Sequence, residues 1–191
     1  MNFMKRILVA LPVLALLAGP ALADEYADAM DVFKKATESA AFFGKSYGYA
    51  VFPGIGKAGL GIGGAHGDGR VYQGGNYVGD TSMTQLTIGL QAGGQAYRQM
   101  IFFENKEAFD KFTNGNFEFG AQATAVAITA AASASTSTAG SGTSASSSSE
   151  NAKAKSGYQS GMAVFTIAKG GLMYEATLGG QKYKYKANKP K

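Results

Sequence analysis

Residues 53–64 read PGIGKAGLGIGG, and this stretch decides how the chain can fold. Gly54, Gly56 and Gly59 form a G-x-G-x-x-G pattern directly after the apolar run GYAVF (residues 48–52). A dinucleotide-binding turn needs a strand before these glycines and a helix after them, because the pyrophosphate sits on the helix N-terminus. The sequence that follows is too rich in glycine for a helix, since each glycine costs about 1 kcal/mol relative to alanine. The pattern therefore excludes a dinucleotide site.

The same glycines fit a β-strand with one nearly bare face. Leu60 and Ile62 alternate with glycines, and residues 85–93 alternate in the same way between apolar and small or polar side chains. A period of two is typical of strands. Interior glycines weaken a strand, so their density predicts that another backbone, a side chain or a ligand approaches this face closely.

Glycine-rich polar segments predict turns at HGDGR (residues 66–70) and QGGNYVGD (residues 73–80), because Gly, Asn and Asp accept positive φ angles or cap a turn. The run YRQMIFF (residues 97–103) predicts a further strand. Asn105 then predicts the N-cap of a short helix, KEAFDKFT, which ends at residues 114–115 (Asn-Gly).

The remainder of the C-terminal half predicts more strands. We expect a strand over residues 117–130, although its alanines suit a helix nearly as well. Residues 131–149 predict a flexible Ser/Ala-rich loop, because they have too little apolar area to offset their ordering entropy. Residues 161–168, 172–178 and 181–186 alternate as strands separated by glycine turns, which predicts a three-stranded meander.

The N-terminus has the pattern of an export signal. Lys5 and Arg6 precede a short apolar core, and Ala21-Leu22-Ala23 forms a small-x-small cleavage site, so residues 1–23 predict a signal peptide. The mature chain would begin at Asp24 and be periplasmic or extracellular, with a peripheral membrane position open to it. The chain has no cysteine, which excludes thiolate catalysis, disulfides and a lipid-modified N-terminal cysteine.

Residues 24–43 predict one amphipathic helix that stops at Gly44. Its apolar side chains recur at spacings of three and four: Tyr26, Met30, Phe33, Thr37, Ala40 and Phe43. The whole pattern predicts a single α+β domain over residues 24–191. Its elements are this helix, a short second helix and a glycine-rich, mostly antiparallel sheet that curls into a sandwich or barrel-like form.

The C-terminal segment QKYKYK carries the clearest charge pattern. Lys182, Lys184 and Lys186 alternate with Tyr183 and Tyr185, so on a strand the lysines share one face and the tyrosines the other. Lysines favour an anionic bilayer and tyrosines suit its interface. A lysine-protected edge strand explains the pattern equally well, whereas so small a patch in an exported protein argues against nucleic acid.

Candidate catalytic residues are sparse. His66, the only histidine, lies with Asp68 in a glycine-rich segment, and one imidazole does not make a metal site. Lys57 is followed by Ala58 rather than Ser or Thr, which excludes a P-loop. The carboxylates Glu104, Glu107, Asp110 and Glu118 are explained by solvated surface charge. We predict no enzymatic activity, no cofactor and no metal site.

Three segments give the chain a family resemblance: residues 48–72, residues 83–112 and GLMYEATLGGQKY (residues 171–183). Together they resemble the SYLF domain family over residues 24–186, interrupted by the Ser/Ala-rich loop. The motif residues are Phe52, Pro53, Lys57, Ala58 and Gly59, followed by Gly89, Leu90, Gln91 and Gly93, with a shifted Gly94-Gln95.

The resemblance implies a non-catalytic lipid-binding module. Eukaryotic members bind phosphoinositides and related anionic lipids, partly through a basic N-terminal segment, and some bind actin. Here the N-terminal helix is acidic on balance, with only Lys34, Lys35 and Lys45 as bases. For an exported protein, anionic phospholipid in general is the expected ligand, rather than actin or phosphoinositides.

We therefore predict binding to anionic phospholipid at a membrane surface in the cell envelope. The expected contacts are Lys57, Lys182, Lys184 and Lys186, with Tyr183 and Tyr185 at the interface and Lys34 and Lys35 in second rank. The alternative is an envelope structural or interaction module that docks another protein through a sheet edge or its glycine-lined face.

Overall fold

A long β-hairpin forms most of the sheet. The computed structural model describes residues 21–121, 123–128, 157–169 and 178–188. Strand β1 (Gly48–Gln73) and strand β2 (Asn76–Phe103) pair antiparallel along their whole length. Gly74 and Gly75 join them, with the φ angles of 54° and 83° that a two-residue hairpin turn requires. The turn predicted over residues 73–80 is confirmed at these glycines, but the residues from Asn76 onward belong to β2.

The hairpin is bent back on itself near its middle. The two halves of β1 come so close that a Cβ built on Gly67 would lie 2.7 Å from the carbonyl oxygen of Gly54. A Cβ on Gly69 would lie 2.6 Å from the ring of Phe52. Only residues without side chains fit at such distances. The close approach predicted for the glycines of residues 53–64 is therefore found mainly at later glycines of β1. Within the predicted stretch it holds for Gly59, whereas Gly56 has nothing within 4 Å of its Cβ position.

The prediction of a turn at residues 66–70 is wrong, because this segment lies inside β1. Gly67 and Gly69 are needed for the approach of the opposite half of the strand and not for a reversal of the chain. The sharpest part of the bend lies earlier, where a Cβ on Gly59 would be 2.2 Å from the Cα of Gly63.

Two irregularities in the pairing accompany the bend. The register shifts between Phe52 and Ile55, where Pro53, which has no N–H to donate to the ladder, is accommodated. A second shift leaves Leu90 and Gln91 of β2 without partners in β1. Extra residues of this kind increase the local twist and bending of a strand.

Four shorter strands complete the six-stranded sheet of the described residues. β5 (Met162–Ala168) and β6 (Gln181–Ala187) both pair antiparallel with β2, β5 along its last residues and β6 near its start. β3 (Asn116–Glu118) lies antiparallel beside β6, and β4 (Val126–Ile128) lies parallel beside β5.

The bend encloses a core between the two halves of the hairpin. Phe52 of β1 packs against Tyr183 of β6 with ring centroids 5.7 Å apart. Met83 from one half and Ile101 from the other belong to the same buried cluster. The sheet therefore folds into the sandwich-like form that was predicted, and the outer face of the half that contains β6 remains open to solvent.

Helix α3 (Lys106–Thr113) packs at one end of this core. The Asn105 side chain accepts a hydrogen bond from the Ala108 N–H at 3.0 Å, so the predicted N-cap is confirmed. The helix buries Phe112 completely and is followed by Gly115 with a φ of 102°. Its predicted limits are also confirmed.

The single N-terminal helix that was predicted is instead two helices. α1 (Ala21–Lys35) and α2 (Thr37–Ala40) are separated by Ala36, whose ψ of 124° is extended. The Ser39 hydroxyl donates to the Phe33 carbonyl at 2.6 Å and satisfies a group that the helix end leaves free. This hydrogen bond between a side chain and the backbone stabilises the junction between the two helices.

α1 covers the outer face of the half-sheet that contains β5. Ala29 and Phe33 are fully buried there, in a second cluster with Met100, Phe102 and Phe165. This cluster lies on the other side of the sheet from the central core. Helix, half-sheet, core and second half-sheet therefore follow one another as layers.

The remaining C-terminal predictions have mixed outcomes. The strand predicted over residues 117–130 is wrong in its continuity, because β3 ends at Glu118 and β4 begins at Val126 after the chain crosses from one half-sheet to the other. The strands predicted over residues 161–168 and 181–186 are confirmed as β5 and β6. Their arrangement differs from a meander, because both pair with β2 and their other neighbours are β4 and β3. Most of the predicted middle strand, the loop at 131–149 and nearly all of the signal segment lie outside the described residues.

The predicted class is confirmed: the chain forms a single α+β domain with a mostly antiparallel sheet. Among the described residues, no helix has both the length and the apolar character needed to cross a bilayer.

Candidate functional site

The three alternating lysines of β6 lie on an exposed face of the sheet. Lys182, Lys184 and Lys186 are all exposed, and they stand opposite Thr84, Ser82 and Asp80 of β2. Directly opposed residues share a face, so this side of the sheet points away from the core. The predicted separation of lysines from tyrosines is confirmed. We call the surface formed by Lys182, Lys184 and Lys186 the lysine face.

β6 is an inner strand where the first two of these lysines lie. It pairs with β2 on one side, and β3 pairs with it on the other, with Glu118 opposite Lys182 and Asn116 opposite Lys184. Lysines that block aggregation belong on unpaired edges. Edge protection therefore does not explain Lys182 and Lys184.

Acidic side chains lie among these lysines but do not neutralise them. The Lys182 Nζ is 3.7 Å from Glu118 Oε2, and both side chains are more than half exposed. Exposed pairs of this kind contribute little energy, and salt screens them. Strand register places Asp80 beside Lys186 and Arg70 beside Asp80 on the same face. The surface carries both signs, with the lysines concentrated on β6.

Tyr183 is buried instead of lying at the surface. It is 1% exposed, and its hydroxyl accepts a hydrogen bond from Gln99 Nε2 at 2.6 Å and donates to Gln181 Oε1. Burial raises the pKa of Tyr183 well above its ordinary value. Because the core uses both its ring and its hydroxyl, we leave Tyr183 out of the lipid-contact surface.

Tyr185 has an intermediate position. Its hydroxyl donates to the Val78 carbonyl at 3.1 Å, and a Cβ built on Gly79 would lie 2.6 Å from its ring. The Tyr185 side chain thus packs against the backbone of β2. Partial burial raises the pKa of Tyr185 above its ordinary value.

Lys57 lies in a shallow groove at the bend of the hairpin. The groove brings Lys57 together with His66 and Lys169, above a floor of small residues: Gly56, Ala58, Gly64, Ala65, Gly94 and Ala96. Lys169 Nζ is 3.8 Å from Glu25 Oε1. The groove is open to solvent, and its basic side chains border bare backbone.

Lys34 and Lys35 are not brought together with the lysine face. They lie in the last turn of α1, which packs on the half-sheet of β5, whereas the lysine face belongs to the half-sheet of β6. Lys34 Nζ is 3.4 Å from Asp31 Oδ1 and 5.7 Å from the centre of the Phe43 ring. Both contacts are with neighbouring residues of the N-terminal segment, and neither involves β6.

The candidate catalytic groups are dispersed. His66 Nε2 lies 3.9 Å from Asp68 Oδ1, with both side chains largely exposed. Asp110 pairs with Lys106 along α3, and Glu118 pairs with Lys182. Over the described ranges, no three His, Cys, Asp or Glu side chains converge in a way that could hold a metal ion.

A family model decides the relationship of this chain to known proteins. The model is Ysc84, described as "Las17-binding protein actin regulator", and it matches residues 84–189, more than half of the 191-residue chain. The chain belongs to the Ysc84 family. This confirms the resemblance to SYLF domains. No curated protein matches the chain.

The Ysc84 match divides the candidate residues. It includes β3 to β6 and most of β2, and therefore Lys182, Lys184 and Lys186. Lys57, together with Lys34 and Lys35, precedes the matched residues. The lysine face thus belongs to the part of the chain by which the family is identified.

Two basic residues that lie near these surfaces were not identified from the sequence. Lys169 follows β5 and reaches the groove of Lys57, although more than a hundred residues separate them in the chain. The Arg70 guanidinium lies 4.2 Å from the centre of the Tyr26 ring and 5.0 Å from that of Tyr77. Neither position has a local signal, because both depend on how the hairpin bends.

Proposed function

We propose that the protein binds anionic phospholipid at a membrane surface in the cell envelope, without catalysis, through the lysine face. The observation that carries this proposal is the alignment of Lys182, Lys184 and Lys186 on the exposed side of β6. Near an anionic bilayer, each such lysine contributes about 1 kcal/mol. Membership of a family that binds lipids and actin supports a binding role.

The other candidate residues contribute less to the proposed lipid contact than the lysine face does. Lys57 adds charge at the bend, next to Lys169. Lys34 and Lys35 stay in second rank, because α1 covers a different half-sheet. Tyr185 lies too deep to be more than a support for the strand that carries the lysines.

Vesicle flotation of lysine variants tests the proposal. The chain from Asp24 onward, with Lys182, Lys184 and Lys186 all changed to Gln, should bind phosphatidylglycerol-containing vesicles about tenfold to a hundredfold more weakly than wild type. The matched control changes Lys45, Lys106 and Lys111 to Gln. This control removes the same charge from exposed positions elsewhere and should lose much less affinity.

Equal affinity of the two triple variants would contradict the lysine face as the contact. The charge of the whole protein, and not its arrangement on β6, would then govern attachment. Undiminished binding by the β6 variant would place the lipid contact elsewhere on the protein. Absence of vesicle binding by wild type would favour the alternative, an envelope module that docks another protein.

A further inference from the structure

Two large aliphatic side chains are exposed at the bend of the hairpin. Ile62 is 68% exposed and Leu86 is 72% exposed. Gly64 stands opposite Leu86, and Ile62 stands opposite Ile88. Ile62 and Leu86 are therefore diagonal neighbours on the same face of two adjacent strands. We call them the aliphatic pair.

The aliphatic pair continues the lysine face. Thr84 precedes Leu86 by two residues and stands opposite Lys182, so Thr84, Leu86 and Lys182 point to the same side of the sheet. Beyond Lys182 the same side carries Lys184. A single exposed surface thus changes from apolar at the bend to basic along β6.

The bend makes the aliphatic pair project. Gly63 and Gly64 follow Ile62 and add no side chains beside it, and the chain doubles back so sharply that Gly59 and Gly63 nearly touch. The hairpin turn at Gly74 lies about 40 Å away along the strand. Because the hairpin is folded back at its middle, the pair occupies one extremity of the folded sheet.

We propose that Ile62 and Leu86 form a membrane anchor that enters the acyl-chain region of an anionic bilayer while the lysine face meets the head groups. This inference rests on the proposed function. Charge identifies the occupant, because an apolar extremity bordered by lysines matches the hydrocarbon and the anionic head groups of one leaflet. A second copy of the chain would bring the same lysines into repulsion.

Fluorescence of an introduced tryptophan tests the anchor directly. The chain contains no tryptophan, so Leu86→Trp creates a single probe at an exposed position. On phosphatidylglycerol-containing vesicles, its emission should shift to the blue and be quenched by brominated acyl chains. The matched control is Lys111→Trp, at an exposed position on α3 away from the lysine face, which should show neither effect.

Two further variants separate the apolar contribution of the aliphatic pair from the electrostatic attraction between the lysines and the bilayer. Ile62→Ser with Leu86→Ser should weaken vesicle binding about tenfold and leave it sensitive to salt. The triple Lys→Gln variant of β6 should lose most of its salt sensitivity. Together these results would separate an apolar from an electrostatic contribution.

The outcomes distinguish the anchor from the function on which it rests. If the Leu86→Trp protein binds vesicles with wild-type affinity but its emission stays unchanged and unquenched, the anchor is overturned and the lysine face survives. Absence of binding to anionic vesicles by wild type would overturn both. A blue shift that depends on protein concentration without vesicles would assign the pair to a contact between copies and overturn the anchor.

Discussion

At the scale of single residues, a polar cluster is built into the core around Tyr183. Gln99, Gln181 and Tyr183 are fully or almost fully buried and hydrogen-bond to one another, and Gln181 Nε2 also donates to the Tyr97 hydroxyl at 3.3 Å. Gln85 extends the cluster by donating to the Gly179 carbonyl at 2.9 Å. Such groups are costly to bury without partners, so they fix the register between β2 and β6.

This cluster predicts a loss of stability in alkali. Burial raises the pKa values of Tyr97 and Tyr183 above the ordinary value of about 10, so the folded protein keeps phenol protons that the unfolded chain loses. The free energy of unfolding should therefore be unaffected below about pH 10 and fall above it, by up to about 1.4 kcal/mol per pH unit for each tyrosine.

Urea unfolding measured from about pH 8 to about pH 12 checks this expectation. Tyr97→Phe removes one of the two phenols and should reduce the alkaline slope relative to wild type. If the wild-type free energy stayed constant through this range, the burial of these hydroxyls would be contradicted.

The same residues show what alternation in a sequence can and cannot predict. The period of two correctly assigns lysines to one face of β6 and tyrosines to the other. It does not show that the tyrosine face meets Phe52 and Gln99 from the other half of the hairpin. Tyr183 was therefore predicted at an interface although it lies in the core.

At the scale of elements, the bent hairpin depends on glycines at chosen positions. Gly67 faces the opposite half of β1, where a Cβ would lie 2.6 Å from Ile55 Cγ1. Gly56, in the same strand, has nothing within 4 Å of its Cβ position. Substitutions at these two glycines can therefore be compared to test whether the bend requires glycine at position 67.

Gly67→Ala should lower the free energy of unfolding by about 1–3 kcal/mol, because the added methyl group overpacks the approach of the two halves. Gly56→Ala should be neutral or stabilise slightly, since it restricts mainly the unfolded chain. Chemical denaturation of both variants measures the difference. Equal losses would mean that glycine serves the flexibility of the strand and not the close approach.

The elements also explain which predictions from sequence failed. The strand period and the helix cap at Asn105 are local, and both were predicted. Residues 66–70 have the composition of a turn. Their glycines are required because Phe52 and Ile55, which lie more than ten residues away in the chain, leave no room there for a side chain. Helical spacing likewise does not predict the break at Ala36, which is fully buried in the cluster that contains Phe33.

At the scale of the whole molecule, the layers separate the basic groups into distinct surfaces. α1 carries Lys34 and Lys35 over the half-sheet of β5, while the lysine face lies on the half-sheet of β6. Net charge alone does not show this separation. The sequence predicted the lysines that share a face, because they share a strand, but not their relation to Lys57, Ile62 or Leu86, which depends on the bend.

The dependence of vesicle binding on lipid charge and salt tests the central claim most directly. The chain from Asp24 onward should float with phosphatidylglycerol-containing vesicles at low salt, and its affinity should fall steeply as salt rises, because screening acts on exposed lysines. Binding to phosphatidylcholine vesicles should be weak throughout. Equal binding to both kinds of vesicle, or affinity that does not change with salt, would contradict a lipid contact made by the lysine face.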